Sequence, residues 1–254
     1  MAVRRRIHHP APLEEDTEVR LSPEASGHLV RVLRLTPGTP LILFDGTGTE
    51  ADAVLVKADP KRAIARVGRI WPGTAEAPLE LVLIQGYSRG AKMDIVIQKA
   101  TELGVSMIAP AQCARSVARV DASRAARRAG HWRQVAVSAC EQSGRSRVPE
   151  IQEPTTLEKA LRVRPDLPGF VLDPAAARTF VDVPRPTAGL RLLVGPEGGL
   201  SEDEVRLAAE AGFQRVRLGP RILRTETAAI AALAVAGFLW GDLAHPSPAS
   251  APQT

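Results

Sequence analysis

The chain of 254 residues has only two cysteines, Cys113 and Cys140. They stand far apart, without CxxC spacing or a neighbouring histidine, so no zinc-ligand pattern is present. They read as buried, reduced thiols. Long apolar runs are missing too. The most apolar stretch, Ala228 to Trp240, falls short of the ~20 residues that a membrane span needs. No apolar region follows the basic opening "MAVRRRIHHP", so it does not read as a secretory signal, and a cytoplasmic location is expected. There is no internal repeat. Histidine is scarce, with five in all, and none stands in "GPEGG" or "LGPRILRTETAA"; His245 falls in the tail.

What is present is an ample core and a mild excess of positive charge. Hydrophobic residues make up 44%, the formal charge is +5, and the sequence pI is near 9.7. The length suits one or two domains. A basic balance fits nucleic-acid binding without establishing it.

The texture divides the chain. Up to residue 72 it is β-rich: "TPLILFDG", "ADAVLVKAD" and "RAIARVGRIW" read as short strands around glycine turns. "WPGTAEAPLE" has the composition of a linker. From residue 78 to 243 strands and helices alternate, which predicts a parallel sheet covered on both faces. In that region "LELVLIQG" is a buried strand. The next segment, "AKMDIVIQKATELG", sets Met93, Val96, Ile97, Ala100 and Leu103 on one helical face, with Gly104 placed to end the helix. "VSMIAP", "GFVLDP", "LRLLVG" and "FQRVRLG" are further strands, and "DASRAARRAGHWRQVAVSACEQSG" is a helix. The final helix, "TETAAIAALAVAGFLW", is apolar on all sides, which suggests burial in a subunit interface and hence a homodimer. Residues 244 to 254 have a disordered composition.

Several motifs carry chemistry. "GTGTEA", Gly46 to Ala51, superficially matches a dinucleotide fingerprint, but a strand pattern follows where a helix is required, so it reads as a hairpin turn. Arg4, Arg5, Arg6, His8 and His9 form a basic arm. "HLVRVLRL" places His28, Arg31 and Arg34 at helical spacing opposite Leu29, Val30 and Leu33, repeating positive charge in the small β-rich region.

The C-terminal third is the most informative. "LLVGPEGGLSEDEV" reads as a strand, a glycine loop and a helix opened by a capping box of Ser201 and Glu204. Strand, glycine loop and helix usually cradle a phosphate, yet Glu197 in the loop would repel one. "LGPRILRTETAA" ends the next strand and begins the apolar helix. Ligands of open α/β sheets bind beyond the carboxyl ends of the strands, so these two loops are expected to share one concave site.

These stretches, with "QKATELGV", "ACEQSGRSRVPEI" and "HLVRVLRLTPG…LFDGTG", resemble the RsmE family, the 16S rRNA uracil-N3 methyltransferases of the SPOUT superfamily. The resemblance spans nearly the whole chain apart from the tail. It implies a PUA-like RNA-binding β-barrel at 1–72 and an α/β methyltransferase domain at 78–243 with a C-terminal trefoil knot. It also implies a homodimer, no metal, and S-adenosyl-L-methionine as cofactor, whose sulfonium and ammonium make a carboxylate in the loop intelligible. On the family pattern Leu172, the loop Gly195, Pro196, Glu197, Gly198 and Gly199, and the segment Leu218, Gly219, Pro220, Ile222, Leu223, Arg224, Thr225, Thr227 and Ala228 should line the cofactor pocket. RNA contacts are expected from Arg4, Arg6, His28, Arg31, Arg34 and Arg89. Because the imide N3 of uracil must lose its proton, Glu226 or Glu197 is the expected proton acceptor, with Arg224 or Arg145 stabilising charge on the base; Arg224 and Glu226 are preferred. Methylation of another RNA base or of tRNA, or RNA binding without catalysis, stay open as alternatives.

Overall fold

The structure is a computed structural model that describes residues 4–88, 90–116 and 122–244. It separates into two compact units: residues 1–76 together with 140–148, and residues 77–139 together with 149–254. The assignment of 140–148 to the small unit has no counterpart in the texture of the sequence.

The small unit is built on a five-stranded sheet. Its strands are β1 (Arg5–His8), β2 (Glu18–Arg20), β3 (Pro40–Phe44), β4 (Thr49–Lys57) and β5 (Ile64–Pro72), in the order β1-β3-β4-β5-β2. β1 runs parallel to β3 and the other pairings are antiparallel. Two register shifts in β4, at Ala51/Ala53 and Leu55/Lys57, interrupt its ladder with β5; irregularities of this kind bend a strand and increase its twist, which curls the sheet. Alternation along the strands buries Leu41, Leu43, Ala51, Ala53, Leu55, Ala65 and Val67 on one face, closed over by Ile7, Leu21 and Leu29.

The segment read as a basic helix is two unlike turns. Helix α1 (Pro23–Gly27), capped by the Ser22 side chain, widens into a π turn over His28–Val32. Arg34 lies beyond it in the left-handed region, at φ 54°. His28, Arg31 and Arg34 are nonetheless all exposed, while Leu29 is fully buried.

Glu76 holds the 140–148 segment inside this unit. One carboxylate oxygen accepts from Arg145 Nη2 at 2.8 Å and Nε at 3.2 Å; the other accepts from the amides of Ser146 (2.9 Å) and Arg147 (2.8 Å). Four charge-assisted hydrogen bonds to one half-buried carboxylate fix a loop far more firmly than a surface pair would.

The large unit is a parallel sheet. It contains β6 (Glu80–Gly86), β7 (Met107–Gln112), β8 (Glu150–Ile151), β9 (Thr155–Thr156), β10 (Gly169–Leu172), β11 (Gly189–Val194) and β12 (Phe213–Val216). The order is β12-β10-β11-β6-β7-β8, with β9 also on β7, and every pairing is parallel. All six residues of β11 are buried, as expected of a central strand covered on both faces. The connecting helices are α2 (Ala91–Glu102), α3 (Ala122–Ser143), α4 (Leu157–Ala160), α5 (Glu202–Glu210) and α6 (Thr225–Trp240). Met93, Val96, Ile97 and Ala100 form the buried face of α2, and Gly104 ends it at φ 87°, which only glycine adopts without strain. Helix α6 packs on α2, β6 and β11. Among the described residues, no helix is long and apolar enough to cross a membrane.

Candidate active site

Parallel pairing brings the carboxyl ends of the central strands into register: Leu172 pairs with Val216, and Val194 with Gln85. The loops leaving β10, β11 and β12 therefore open at one edge of the sheet, where ligands of open α/β sheets bind. They enclose a cavity of about 490 Å³, large enough for a small cofactor.

The loop after β11 turns tightly, with the Gly199 amide donating to Pro196 O at 2.8 Å and Gly199 at φ 69°. It ends in the expected capping box: Ser201 Oγ accepts from the Glu204 amide (3.2 Å), and Glu204 accepts from the Ser201 amide (2.8 Å). The loop after β12 leads to Thr225, whose hydroxyl donates to Gly195 O at 2.6 Å and accepts from Gln85 Nε2 at 2.9 Å. A buried polar chain thus ties the two loops to each other and to the end of β6.

Most of the residues expected around a cofactor line this cavity. Leu172 and the whole loop from Gly195 to Gly199 do, as do Leu218, Gly219, Ile222, Leu223, Arg224, Thr225 and Ala228, with Glu226 beside them. Pro220 and Thr227 do not line it; Thr227 faces a separate apolar groove with Val181, Leu223, Ala231 and Val235. Sequence reasoning missed Lys92, Arg115, Asp173 and Arg221 on the cavity wall. Lys92 shows what holds the loop acid, since its Nζ lies 3.2 Å from Glu197. Burial alone would push the Glu197 carboxyl up, but hydrogen bonds from its own amide, from Lys92 and from Ser88, with the Lys92 charge, outweigh that and hold it below the usual range. Asp173 is similarly engaged, by Arg215 Nε at 2.7 Å and the Ala175 amide at 2.8 Å.

Glu226 differs. It sits in the first turn of α6, and its buried Oε2 has no hydrogen-bond partner among the described residues. Arg224, the residue before the helix, is exposed and forms no side-chain cap. Arg145 belongs to the small unit, where it is 5% exposed and occupied by Glu76.

The basic residues of the small unit also separate by role. Arg6 is not on a free arm: it lies in β1, bonds Glu50 through both terminal nitrogens at 3.1 and 3.0 Å, and donates to Arg145 O at 3.1 Å. Arg4 pairs with Asp52 at the surface. Arg89 lies outside the described residues. The two cysteines are free and buried, and burial pushes both thiols up to about 12.

Two family models match the chain: an RNA methyltransferase domain over residues 75–237 and an RNA methyltransferase PUA domain over residues 21–68. A ribosomal RNA small subunit methyltransferase E from Mycobacterium bovis is 36% identical over 218 residues, covering 84% of this chain and 83% of its own length. The chain belongs to the ribosomal RNA small subunit methyltransferase E family. The fold agrees with that of solved structures. A family member from Neisseria gonorrhoeae, bound to S-adenosyl methionine, superposes with a TM-score of 0.87 at 38% identity, covering 94% of this chain and 99% of that one. A methyltransferase from Legionella pneumophila, in complex with the same cofactor, gives a TM-score of 0.90 at 38% identity over 94% and 99% of the two chains. Membership in the methyltransferase E family accounts for the pairing of an N-terminal PUA domain with a parallel α/β domain.

Proposed function

We propose that the chain uses S-adenosyl-L-methionine to methylate N3 of a uridine in the 16S RNA of the small ribosomal subunit. The observation that carries this reading is family membership over most of the chain, joined to a cavity built by the two loops that the family pattern singles out.

The residues present suit the cofactor. The cavity has the Glu197 carboxylate for a cationic donor, an apolar wall from Leu172, Val194 and Leu223, and glycine-rich backbone that leaves its polar groups accessible. When bound, the cofactor supplies an electrophilic methyl group on a sulfonium. The chain's own task is to make N3 nucleophilic. N3 carries a proton and conjugates with two carbonyls, so a proton acceptor must stand beside it. Glu226 is preferred to Glu197 because Lys92 already engages the Glu197 carboxylate, whereas Glu226 Oε2 is buried with no hydrogen-bond partner among the described residues. Glu226 would take the proton that N3 gives up when it accepts the methyl group. Arg224, at the cavity without an ion-pair partner among the described residues, offsets negative charge on the uracil oxygens; Arg145 is already neutralised by Glu76. The segments 195–200 and 218–225 are those that would form the knot of the superfamily.

The small unit supplies RNA affinity through Arg4, His28, Arg31 and Arg34, with Arg89 from the segment after β6. Arg6 acts there as a strut for the sheet. The chain works in the cytoplasm, where ribosomal subunits are assembled. It works as a homodimer through the outer face of α6. Phe238 near the end of α6 is 61% exposed, and Val181, in the 180–182 turn that packs on α6, is 74% exposed, apolar side chains that one unit leaves uncovered. Phe238→Asp is therefore expected to turn a dimer into a monomer in sedimentation at micromolar concentration; a parent protein that sediments as a monomer with full activity would contradict the dimer.

Transfer of labelled methyl groups to undermethylated small subunits tests the function itself. Incorporation into 16S RNA is expected, and none into tRNA. Labelling of tRNA alone would overturn the substrate assignment.

A further inference from the structure

We infer that Glu204 and Arg115 are positioning residues, forming a two-point latch that holds the Gly195–Leu200 loop in its cofactor-binding shape; the inference rests on reading the cavity as the methyl-donor site. A capping box needs Glu204 only for the Ser201 amide. Here the second carboxylate oxygen, Oε1, reaches out of the helix and accepts from the Ala114 amide at 2.7 Å, while Oε2 accepts from Ser201 at 2.8 Å. The residue after Ala114 donates as well. Arg115 Nη1 donates to Gly198 O at 3.4 Å and to Leu200 O at 3.3 Å. Neighbouring residues of one segment thus both donate to this region, Ala114 giving a backbone proton to the helix start and Arg115 giving side-chain protons to the loop carbonyls.

The anchor is itself constrained. Residues 113–116 directly follow β7 in the central sheet and close into a turn, with the Ser116 amide donating to Cys113 O at 3.1 Å and the Cys113 amide donating to Ser116 Oγ at 3.2 Å. The loop meets this turn at close range. A Cβ on Gly198 would lie 2.8 Å from Arg115 Cβ and 3.0 Å from Arg115 O. Gly198 is therefore a glycine on account of the latch, whatever it also does for the ligand. Each Arg115 bond is long and its side chain exposed, so it contributes less than the short bonds made by Glu204. The latch is a matter of geometry: Pro196, Glu197 and Gly198 line the cavity only while both ends of the loop are held.

The test compares full-length Glu204→Ala, Arg115→Ala, Arg115→Lys and Ser201→Ala. Ser201→Ala removes the serine half of the capping box but leaves the bond from Glu204 to Ala114. Calorimetry with S-adenosyl-L-methionine should show affinity falling about tenfold in Glu204→Ala, the scale of one charge-assisted hydrogen bond. Arg115→Ala should show a smaller loss in the same direction, partly restored in Arg115→Lys, and Ser201→Ala should stay within about threefold of the parent. In the absence of ligand, hydrogen exchange at Gly198, Gly199 and Leu200 should quicken in Glu204→Ala and Arg115→Ala but not in Ser201→Ala. Equal losses in Ser201→Ala and Glu204→Ala would reduce Glu204 to a helix cap and overturn the latch. So would unchanged affinity, or lost affinity with unchanged loop exchange, which would make the contact to the ligand direct. A parent that binds no cofactor would refute the cavity reading, while the exchange pattern still judges the latch.

Discussion

Replacement of Glu226 by Gln is expected to slow single-turnover methylation by ~10²–10⁴-fold, the usual worth of positioned proton transfer. The amide keeps the size and the hydrogen-bonding reach of the carboxylate but cannot accept the N3 proton. Cofactor and RNA affinities should stay close to those of the parent, since both substrates bind before the proton moves. Raising the pH should restore part of the rate, because solvent base can then remove the proton that Glu226 no longer takes. A purely structural role predicts otherwise. Loss of a helix-start carboxylate costs about 0.5–2 kcal/mol of stability and leaves chemistry largely alone. The structure gives that role little to rest on: among the described residues Glu226 Oε2 has no hydrogen-bond partner and the side chain enters no ion pair. A rate within a few-fold of the parent would exclude Glu226 as the base.

The second large effect is expected at Gly86, the last residue of β6. Its neighbour across the cavity wall is the start of the loop after β11. A Cβ there would lie 2.4 Å from Pro196 N and 2.7 Å from Gly195 C. These are backbone atoms, and they cannot rotate away as a flexible side chain would. Overpacking of this kind costs ~1–3 kcal/mol. Felt wholly at the loop, that is a ~10- to 100-fold loss of cofactor affinity for Gly86→Ala. Gly130 in α3 is the control, since a Cβ there meets nothing within 4 Å. Gly130→Ala should bind the cofactor as the parent does and gain helix stability. Equal affinity in Gly86→Ala and the parent would show that the loop does not depend on this approach.

What the sequence made legible was local. The capping box of Ser201 and Glu204, the helix end at Gly104, the strand pattern after "GTGTEA" and the buried apolar run Leu192, Leu193 and Val194 in β11 all follow from neighbours within a few positions, and the structure has each of them. The cavity was legible because two glycine-rich loops stood at strand ends and parallel strands must carry such ends to one side.

What was missed depends on partners far along the chain. Arg6 looked like part of a basic arm because Glu50 lies 44 positions away. Arg145 looked available for catalysis because Glu76, which occupies it, lies 69 positions away. Lys92 and Arg115 lie 105 and 83 positions from the loop residues they bond. Periodicity carries no information about such pairs. The basic helix failed for a different reason: apolar spacing over Leu29, Val30 and Leu33 cannot distinguish an α turn from the π turn that forms, and Arg34 leaves the helix at positive φ.

Nucleoside mass spectrometry of 16S RNA, after incubation of undermethylated small subunits with the protein and S-adenosyl-L-methionine, bears most directly on the reading as a whole. We expect 3-methyluridine to appear in the digest, and to be absent when Glu226→Gln replaces the parent over the same brief reaction. A methyl group on carbon 5, on the ribose 2′-oxygen or on another base would contradict the assignment of N3 and the proton-transfer role built on it.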